Sequence, residues 1–386
     1  MKICIVVRIL WSAGTQKFAI QQAKAFQDAG HEVTIIFLRS TESGHVYDEL
    51  LKTVEYEIMF QGNKSIFVPL YDLITGIFMP NRKGEGRVDY NLIRRFPRYI
   101  RRRNFDHIIC QDQWSGLAGY YAKRKLGIKY SVIIHEQVNN FPWIKGFKRI
   151  LVTLALRWQR KILYNADRIF TVTEPVAETI KGFYRDKLDV SSVFPGIDNH
   201  IERNYSIKKN QIIMVSYWNE VKIPEAYIPI FKGIEGYNFV MAGNWISLEY
   251  RNMFLDKIQH ENLKDKVTFV DHLSEVEKSA LFAESKFYLR FGQDEKGPGY
   301  GTIEALESGL PVICNNGLGI SPYLLDKSFA LVIDDLRDIE SIQTFINRSD
   351  TKDNYERLQE QIEAMIDKLS WTTHANKIIT EIQGRK

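Results

Sequence analysis

The stretch richest in chemical possibility runs from Glu295 to Asn316, EKGPGYGTIEALESGLPVICNN. Gly297, Gly299 and Gly301 carry no side chain, so a ligand can approach the backbone closely there. They lead into a helix expected to begin near Thr302, and helix N-termini favour anions through open N–H groups and the macrodipole. On that spacing Glu304 falls in the first turn. It is either a favourable charge at the terminus or an acceptor for the hydroxyls of a ribose. Gly309, Leu310 and Pro311 then turn the chain into the next apolar run.

Other chemistries are missing. A nicotinamide-binding chain would show G-x-G-x-x-G after its first strand and an acidic residue at the end of the second. Here the first loop is LWSAGTQK, and the second apolar run ends in Arg39 and Ser40. GNKS at 62–65 lacks the preceding glycine of a P-loop. His135-Glu136 is not followed by a second histidine at helical spacing, and no G-x-S-x-G elbow occurs. The remaining histidines are scattered without metal-ligand spacing. The expectation is a site that works without a metal and without a bound cofactor.

The elements that must position these residues follow from hydropathy. KICIVVRIL is a continuous apolar run, as befits a parallel strand buried on both faces. Phe18, Ala19, Ala23 and Phe26 recur at helical spacing, and Gly30 stops that helix. HEVTIIFL, FDHIICQD, YSVIIHE, DRIFTVT and VSSVFPG continue the alternation. After the polar stretch IDNHIERNYSIKKN, read as a linker, the pattern restarts with QIIMVSY, YNFVMAG, VTFVDHL, SKFYLRFG, LPVICNN and FALVIDD. Strands and helices alternating in this way predict an α/β chain of two doubly wound domains facing each other across a cleft. The expected boundaries are 1–200 and 201–370, with a final helix at 371–386 returning to the first domain.

A length of 386 residues suits two domains, and 45% hydrophobic with 26% charged residues is ordinary for a globular protein. Cys4, Cys110 and Cys314 lack framework spacing, which suits a reducing compartment. With no leader-like segment and no spanning run in the sequence, the expected location is the cytoplasm or the inner membrane surface. The net charge of +5 is unevenly placed. Arg94, Arg95, Arg98, Arg101, Arg102 and Arg103 crowd one segment, and Lys145, Lys148, Arg149, Arg157, Arg160 and Lys161 another. These are solvated helix faces or attractors for an anionic surface; no nucleic-acid module accompanies them. Phe147, Ile150, Leu151, Leu154, Trp158 and Ile162 form an apolar stripe that belongs either to the core or to an amphipathic helix lying on anionic lipid.

The Glu295–Asn316 segment resembles the donor-binding signature of the family-4 retaining glycosyltransferases, E-G-F-G-x-x-x-x-E-A-M-A-x-G-x-P-V-I. The resemblance extends over nearly the whole chain, through AGTQKFAIQQAKAFQDAGHEV, the middle strands, DRIFTVTEPVAETI, VSSVFPGID and VMAGN. It implies the GT-B architecture of two Rossmann-like domains, the first binding the acceptor and the second a nucleotide-sugar donor. The implied reaction moves a sugar, with retained anomeric configuration, to a glycan or lipid-linked saccharide acceptor. The implied roles place Gly14 beside the diphosphate, His135 at the donor sugar and Lys222 on the diphosphate. Gly243 lies in a loop near the nucleotide, Gly297 and Gly299 lie beneath the transferred sugar, Thr302 opens the helix and Glu304 binds ribose. The metal-binding D-x-D segment of the other large glycosyltransferase fold does not occur.

Two positions depart from the pattern. Counting back from Glu304 puts Lys296, with Glu295 one residue early, where the family has its first glutamate. Tyr217 stands where the family has an arginine before the diphosphate lysine. Either Lys296 replaces the lost arginine, or Lys296 points to solvent and Glu295 keeps the usual role. The same departures support a competing reading, a catalytically inactive sugar-nucleotide-binding partner subunit. A nucleotide-sugar epimerase, which shares the architecture, is a third.

Overall fold

The computed structural model describes residues 1–10, 14–40, 47–61, 90–135, 146–185 and 187–384. The chain divides into two units, Met1–Pro195 with Trp371–Lys386, and Gly196–Ser370.

The first unit is built on a seven-stranded sheet ordered β3-β2-β1-β4-β5-β6-β7. Its strands are β1 (Lys2–Leu10), β2 (Glu32–Ser40), β3 (Glu55–Ile58), β4 (His107–Cys110), β5 (Lys129–Ile134), β6 (Arg168–Thr171) and β7 (Val190–Ser192). Every pairing is parallel, with Ile5 of β1 between Ile35 and Ile109. Ile3, Cys4, Ile5 and Val6 are fully buried, because helices cover both faces of the sheet. Strand β3 has no counterpart in the apolar runs. It is an edge strand of only four residues, EYEI, too short a run to register as one.

Helix Gly14–Asp28 buries Phe18, Ala19, Ala23 and Phe26, and Gly30 follows at φ +82°. Against it packs the last helix, Trp371–Gln383, through Trp371, His374, Ala375, Ile378 and Ile379. That i, i+3, i+4, i+7, i+8 pattern is what a one-faced helix needs to join a distant part of the chain.

The second unit carries six parallel strands in the order β10-β9-β8-β11-β12-β13. They are β8 (Gln211–Val215), β9 (Asn238–Ala242), β10 (Val267–Val270), β11 (Phe287–Arg290), β12 (Val312–Asn315) and β13 (Ala330–Ile333). The polar stretch read as a linker is tied down here. Ile197 N donates to Leu369 O (2.9 Å), and His200 N donates to Glu307 O (3.0 Å). Its backbone groups find partners, so it belongs to the second unit and not between the two.

The apolar stripe of Phe147–Asn165 is also divided. Ile162 is fully buried and Gln159 nearly so, whereas Ile150 and Trp158 are exposed. The helix buries Gln159, Ile162 and Leu163, while the side chains of Phe147, Leu151 and Leu154 in the same stripe lie outside the described residues. Among the described residues, no helix is long and apolar enough to cross a membrane.

Candidate functional site

In doubly wound sheets the crevice that binds ligands opens at the carboxyl ends of the strands, where the strand order reverses. In the second unit the reversal lies between β8 and β11, and the loops leaving those strands carry Tyr217, Lys222 and Glu295.

The loop after β8 is held by aromatic packing and backbone bonds. Trp218 is fully buried, its ring 5.7 Å from Tyr227 and 5.8 Å from Trp245, and its Nε1–H donates to Ala242 O at 3.0 Å. Trp218 N donates to Asn244 O (2.8 Å), and Ile246 N donates to Trp218 O (2.9 Å). Gly243 permits this approach: it sits at φ +110°, and a Cβ there would collide with the carbonyl of Ser216. Beyond Trp218, Asn219 caps a single 3-10 turn by accepting from the N–H groups of Val221 (3.0 Å) and Lys222 (3.2 Å). The turn presents Lys222.

The loop after β11 is held just as firmly. Asn315 clamps Gly292 from both sides, accepting from its N–H and donating to its carbonyl, each at 3.0 Å. Gln293 N donates to Val221 O (2.9 Å), which joins this loop to the Lys222 turn. Asp294 then adopts a left-handed φ of +54°, a conformation that Asp tolerates better than most residues. Glu295 consequently folds back towards the sheet, over Gly292, where any Cβ would strike its carboxylate.

The carboxylate of Glu295 is shared by two cations. The Lys222 ammonium pairs with Oε2, while Arg290 Nη2 donates to both oxygens, at 2.8 and 2.7 Å. Arg290 Nη1 also donates to Ser216 Oγ (2.8 Å), so one guanidinium bridges the ends of β8 and β11. Arg290 is 5% exposed. Burial opposes its charge, but Glu295, aided by Tyr288 and Tyr227, outweighs that and holds it firmly protonated.

Lys296 instead lies 3.3 Å from Asp294, with the more solvent-open side chain of the two candidates. The structure thus places Glu295, not Lys296, among the cations that gather beside Ser216. Tyr217, at the position of the missing arginine, is 55% exposed.

The glycine-rich loop leads into helix Tyr300–Glu307, with Gly299 as its N-cap at φ +67°. Because the helix begins two residues before Thr302, Glu304 stands in its second turn and no acidic residue lies in the first. The reading of Glu304 as a favourable first-turn charge is therefore set aside. Its Oε1 accepts from Lys278 Nζ at 2.8 Å, and its side chain is largely buried. Thr302 is buried in the first turn, and Gly297 turns its carbonyl towards Gly319, where a Cβ would not fit.

Gly14 and His135 belong to the first unit. Gly14 opens its helix, while residues 11–13 of the first loop lie outside the described residues. His135 follows β5 directly and is 8% exposed, with its ring 4.8 Å from Phe18, edge to face. Burial lowers its pKa to about 4; Asp112 opposes the shift and His374 adds to it. It heads a chain of uncharged groups in which His135 contacts Gln111 (3.0 Å), Gln111 contacts Gln22 (2.6 Å), Gln22 contacts His374 (2.9 Å) and His374 contacts the carbonyl of Phe194 (2.8 Å).

Among the described residues, no three His, Cys, Asp or Glu side chains converge as a metal-ligand set. Sequence reasoning missed Arg290, Lys278 and the Gln22–His374 link. Arg290 left a readable trace as a lone charge inside the apolar run FYLRFG. The other two depend on pairings between distant segments, for which no local signal exists.

Comparison with known proteins identifies the family and the fold. The model of Glycosyltransferase Family 4 matches residues 12–200, and that of the glycosyl transferases group 1 matches residues 198–365. The chain belongs to the family-4/group 1 glycosyltransferases, and its fold is GT-B. A putative glycosyltransferase 41 of Sulfolobus islandicus filamentous virus (isolate Iceland/Hveragerdi) is 31% identical over 199 residues, 41% of this chain. That match spans 60% of the viral protein's length. Among solved structures, Anabaena HepE in complex with UDP superposes with a TM-score of 0.74 at 13% identity, covering 100% of both chains. Sucrose-phosphate synthase from Thermosynechococcus elongatus gives a TM-score of 0.75 at 14% identity, covering 99% of this chain and 98% of that one.

Proposed function

We propose that the protein is a retaining, metal-independent glycosyltransferase that moves a sugar from a nucleotide-sugar donor to a glycan or lipid-linked saccharide. The observation that carries this reading is the end of β11. There the glycine-rich loop runs into the N-terminus of helix Tyr300–Glu307, with Lys222 and Arg290 gathered on Glu295 beside it. Backbone dipoles and a fixed cation at one point suit a nucleoside diphosphate, whose charge grows as its bond to the sugar breaks. In this reading Lys222 neutralises the departing diphosphate and Glu295 orients the donor sugar. Glu304 binds ribose; Gly14, Gly243, Gly297 and Gly299 admit the ligand to the backbone, and His135 contacts the sugar. The HepE structure contains UDP, which makes a uridine nucleotide the first donor to try.

A cytoplasmic location is supported by three buried free thiols, and an anionic membrane surface as partner by the first unit. Helices Tyr90–Ile100, Gly116–Leu126 and Phe147–Asn165 pack side by side and contain no acidic residue. Arg94, Arg95, Arg98, Arg157, Arg160 and Lys161 are exposed on them, as are Ile150 and Trp158.

The test is a thermal-shift panel of nucleoside diphosphates and nucleotide sugars. A ligand bound by the native state raises the midpoint with its affinity. One nucleotide should stabilise the protein and lose its effect in Glu304→Ala. Transfer from the matching donor should persist in EDTA, and NMR of the product should show the donor's anomeric configuration. No shift with any nucleotide would overturn the enzymatic reading in favour of a non-catalytic one.

A further inference from the structure

Arg290 is an improbable residue in its place. It ends a parallel strand whose other members, Phe287, Tyr288 and Leu289, are fully buried, and Phe291 after it is buried as well. Taking a guanidinium out of water costs several kcal/mol even after relaxation, and one shared carboxylate is a meagre return for it. The arrangement has a consequence for its neighbour. If Glu295 had Lys222 alone, the two would form a neutral pair. Any anion recruiting the ammonium would then strand a carboxylate that is only 15% exposed in its side chain. Arg290 removes that obstacle, because it already holds both oxygens of Glu295 and is itself anchored to Ser216.

We infer that Arg290 is a positioning residue that frees Lys222 for an anionic ligand. When a nucleoside diphosphate binds, the Lys222 ammonium passes from Glu295 to the phosphates, and Arg290, on both oxygens, keeps the Glu295 carboxylate in place. The group also stands where sequence comparison leaves a gap. Its guanidinium touches Ser216, the residue immediately before Tyr217, so a positive charge reaches the end of β8 from a neighbouring strand. Lys296, in the loop after β11, is paired with Asp294. This inference rests on the donor-binding reading above and adds to it the residue that makes a lysine–glutamate pair usable.

The experiment measures dissociation constants for UDP, GDP and ADP by titration calorimetry in wild type, Arg290→Met, Arg290→Lys, Tyr217→Arg and Arg290→Met/Tyr217→Arg. Arg290→Met should weaken the nucleotide that wild type prefers by about tenfold or more, the scale of losing a charge-assisted partner at a desolvated site. Arg290→Lys should retain most of the affinity. Tyr217→Arg should restore it in the Met background while adding little to wild type, a pattern that a purely structural role for Arg290 would not produce. Should Arg290→Met fail to fold, Arg290→Gln keeps a hydrogen-bond donor for Glu295 while removing the charge, and Tyr217→Arg is added to that variant. Unchanged affinity in a folded Arg290→Met protein, or no recovery on adding Tyr217→Arg, overturns the inference. Wild type binding none of the three nucleotides overturns the donor-binding reading along with it.

Discussion

The two units hold polar side chains at the ends of their sheets by different means. After β5 of the first unit, His135, Gln111, Gln22 and His374 form a buried chain without formal charge. After β11 of the second, Lys222, Arg290 and Glu295 are all charged, and two of them compete for the third. The neutral chain has a definite direction. His374 Nδ1–H donates to the Phe194 carbonyl, so its Nε2 accepts from Gln22; Gln22 Oε1 accepts from Gln111, and Gln111 Oε1 accepts from His135 Nε2–H. One backbone carbonyl therefore sets the tautomer of the histidine at the far end of the chain, with its proton on Nε2. A neutral chain fixes orientation at little desolvation cost, whereas a charged cluster stores attraction for an incoming anion.

The largest expected effect separates the two at once. Glu295→Ala leaves Lys222 and Arg290 together with no carboxylate, and removing one partner from a buried ion pair costs about 3–5 kcal/mol. Urea unfolding should show that loss, with Glu295→Ala/Arg290→Met recovering part of it. A loss below about 1 kcal/mol, the surface-pair range, would mean that the cluster is effectively solvated.

Acid should act on the other side of the comparison. The pKa values of His135 and His374 are both lowered to about 4, chiefly by burial; for His374 the Phe194 carbonyl resists the shift and Lys377 adds to it. His107, buried beside Ser131 in β4, is lowered to about 4 as well. A depressed histidine leaves the unfolded chain binding more protons between about pH 6.5 and 4, so stability is full above that window and falls through it. Each such group contributes up to about 3 kcal/mol, lost progressively as the pH drops. Hydrogen exchange at pH 7 and pH 4.5, corrected for intrinsic rates, should show β5 and helix Trp371–Gln383 losing protection before β11, whose charged cluster contains no histidine. Equal loss in both units would remove the distinction.

A smaller effect tests whether the neutral chain behaves as a unit. Gln22→Leu orphans Gln111 Nε2 and His374 Nε2, and an unsatisfied buried group costs about 1–3 kcal/mol. Gln22→Leu/Gln111→Leu should cost less than the two single changes added together, because the partners disappear together. Strict additivity would show that these side chains are neighbours without coupling.

How much of this was legible in the sequence differs between the regions for a physical reason. Every strand of the second unit announced itself as an apolar run, and the glycines, Lys222 and Glu295 stand within loops a few residues long. The network of the first unit closes between Gln22, Gln111 and His374, drawn from three distant segments. Glutamines and a histidine on apolar helices and strands carry no pattern until tertiary packing brings them together. The edge strand β3 was invisible because its alternation, Glu55-Tyr56-Glu57-Ile58, lasts only four residues. The register at Glu295 was ambiguous because one backbone dihedral, at Asp294, decides which side chain turns inwards.

That ambiguity yields the smallest expected effect and a sharp test of the charged region. Lys296 and Asp294 have side chains 30% and 61% exposed, so their pair should contribute about 0–1 kcal/mol. Lys296→Ala should therefore leave the unfolding midpoint nearly unchanged and weaken nucleoside diphosphate binding far less than Lys222→Ala does. Asp294→Gly, which relieves the left-handed strain, should keep Glu295 in place, whereas Asp294→Val should penalise the same turn, since a β-branched residue resists positive φ. If Lys296→Ala instead costs as much affinity as Lys222→Ala, Lys296 must reach the ligand when it binds. The second cation would then come from the glycine-rich loop, and Arg290 would only secure Glu295. If Lys296→Ala is silent while Asp294→Val is not, the extra residue in the loop has been absorbed by the backbone, and the carboxylate has kept its station despite being one position early in sequence.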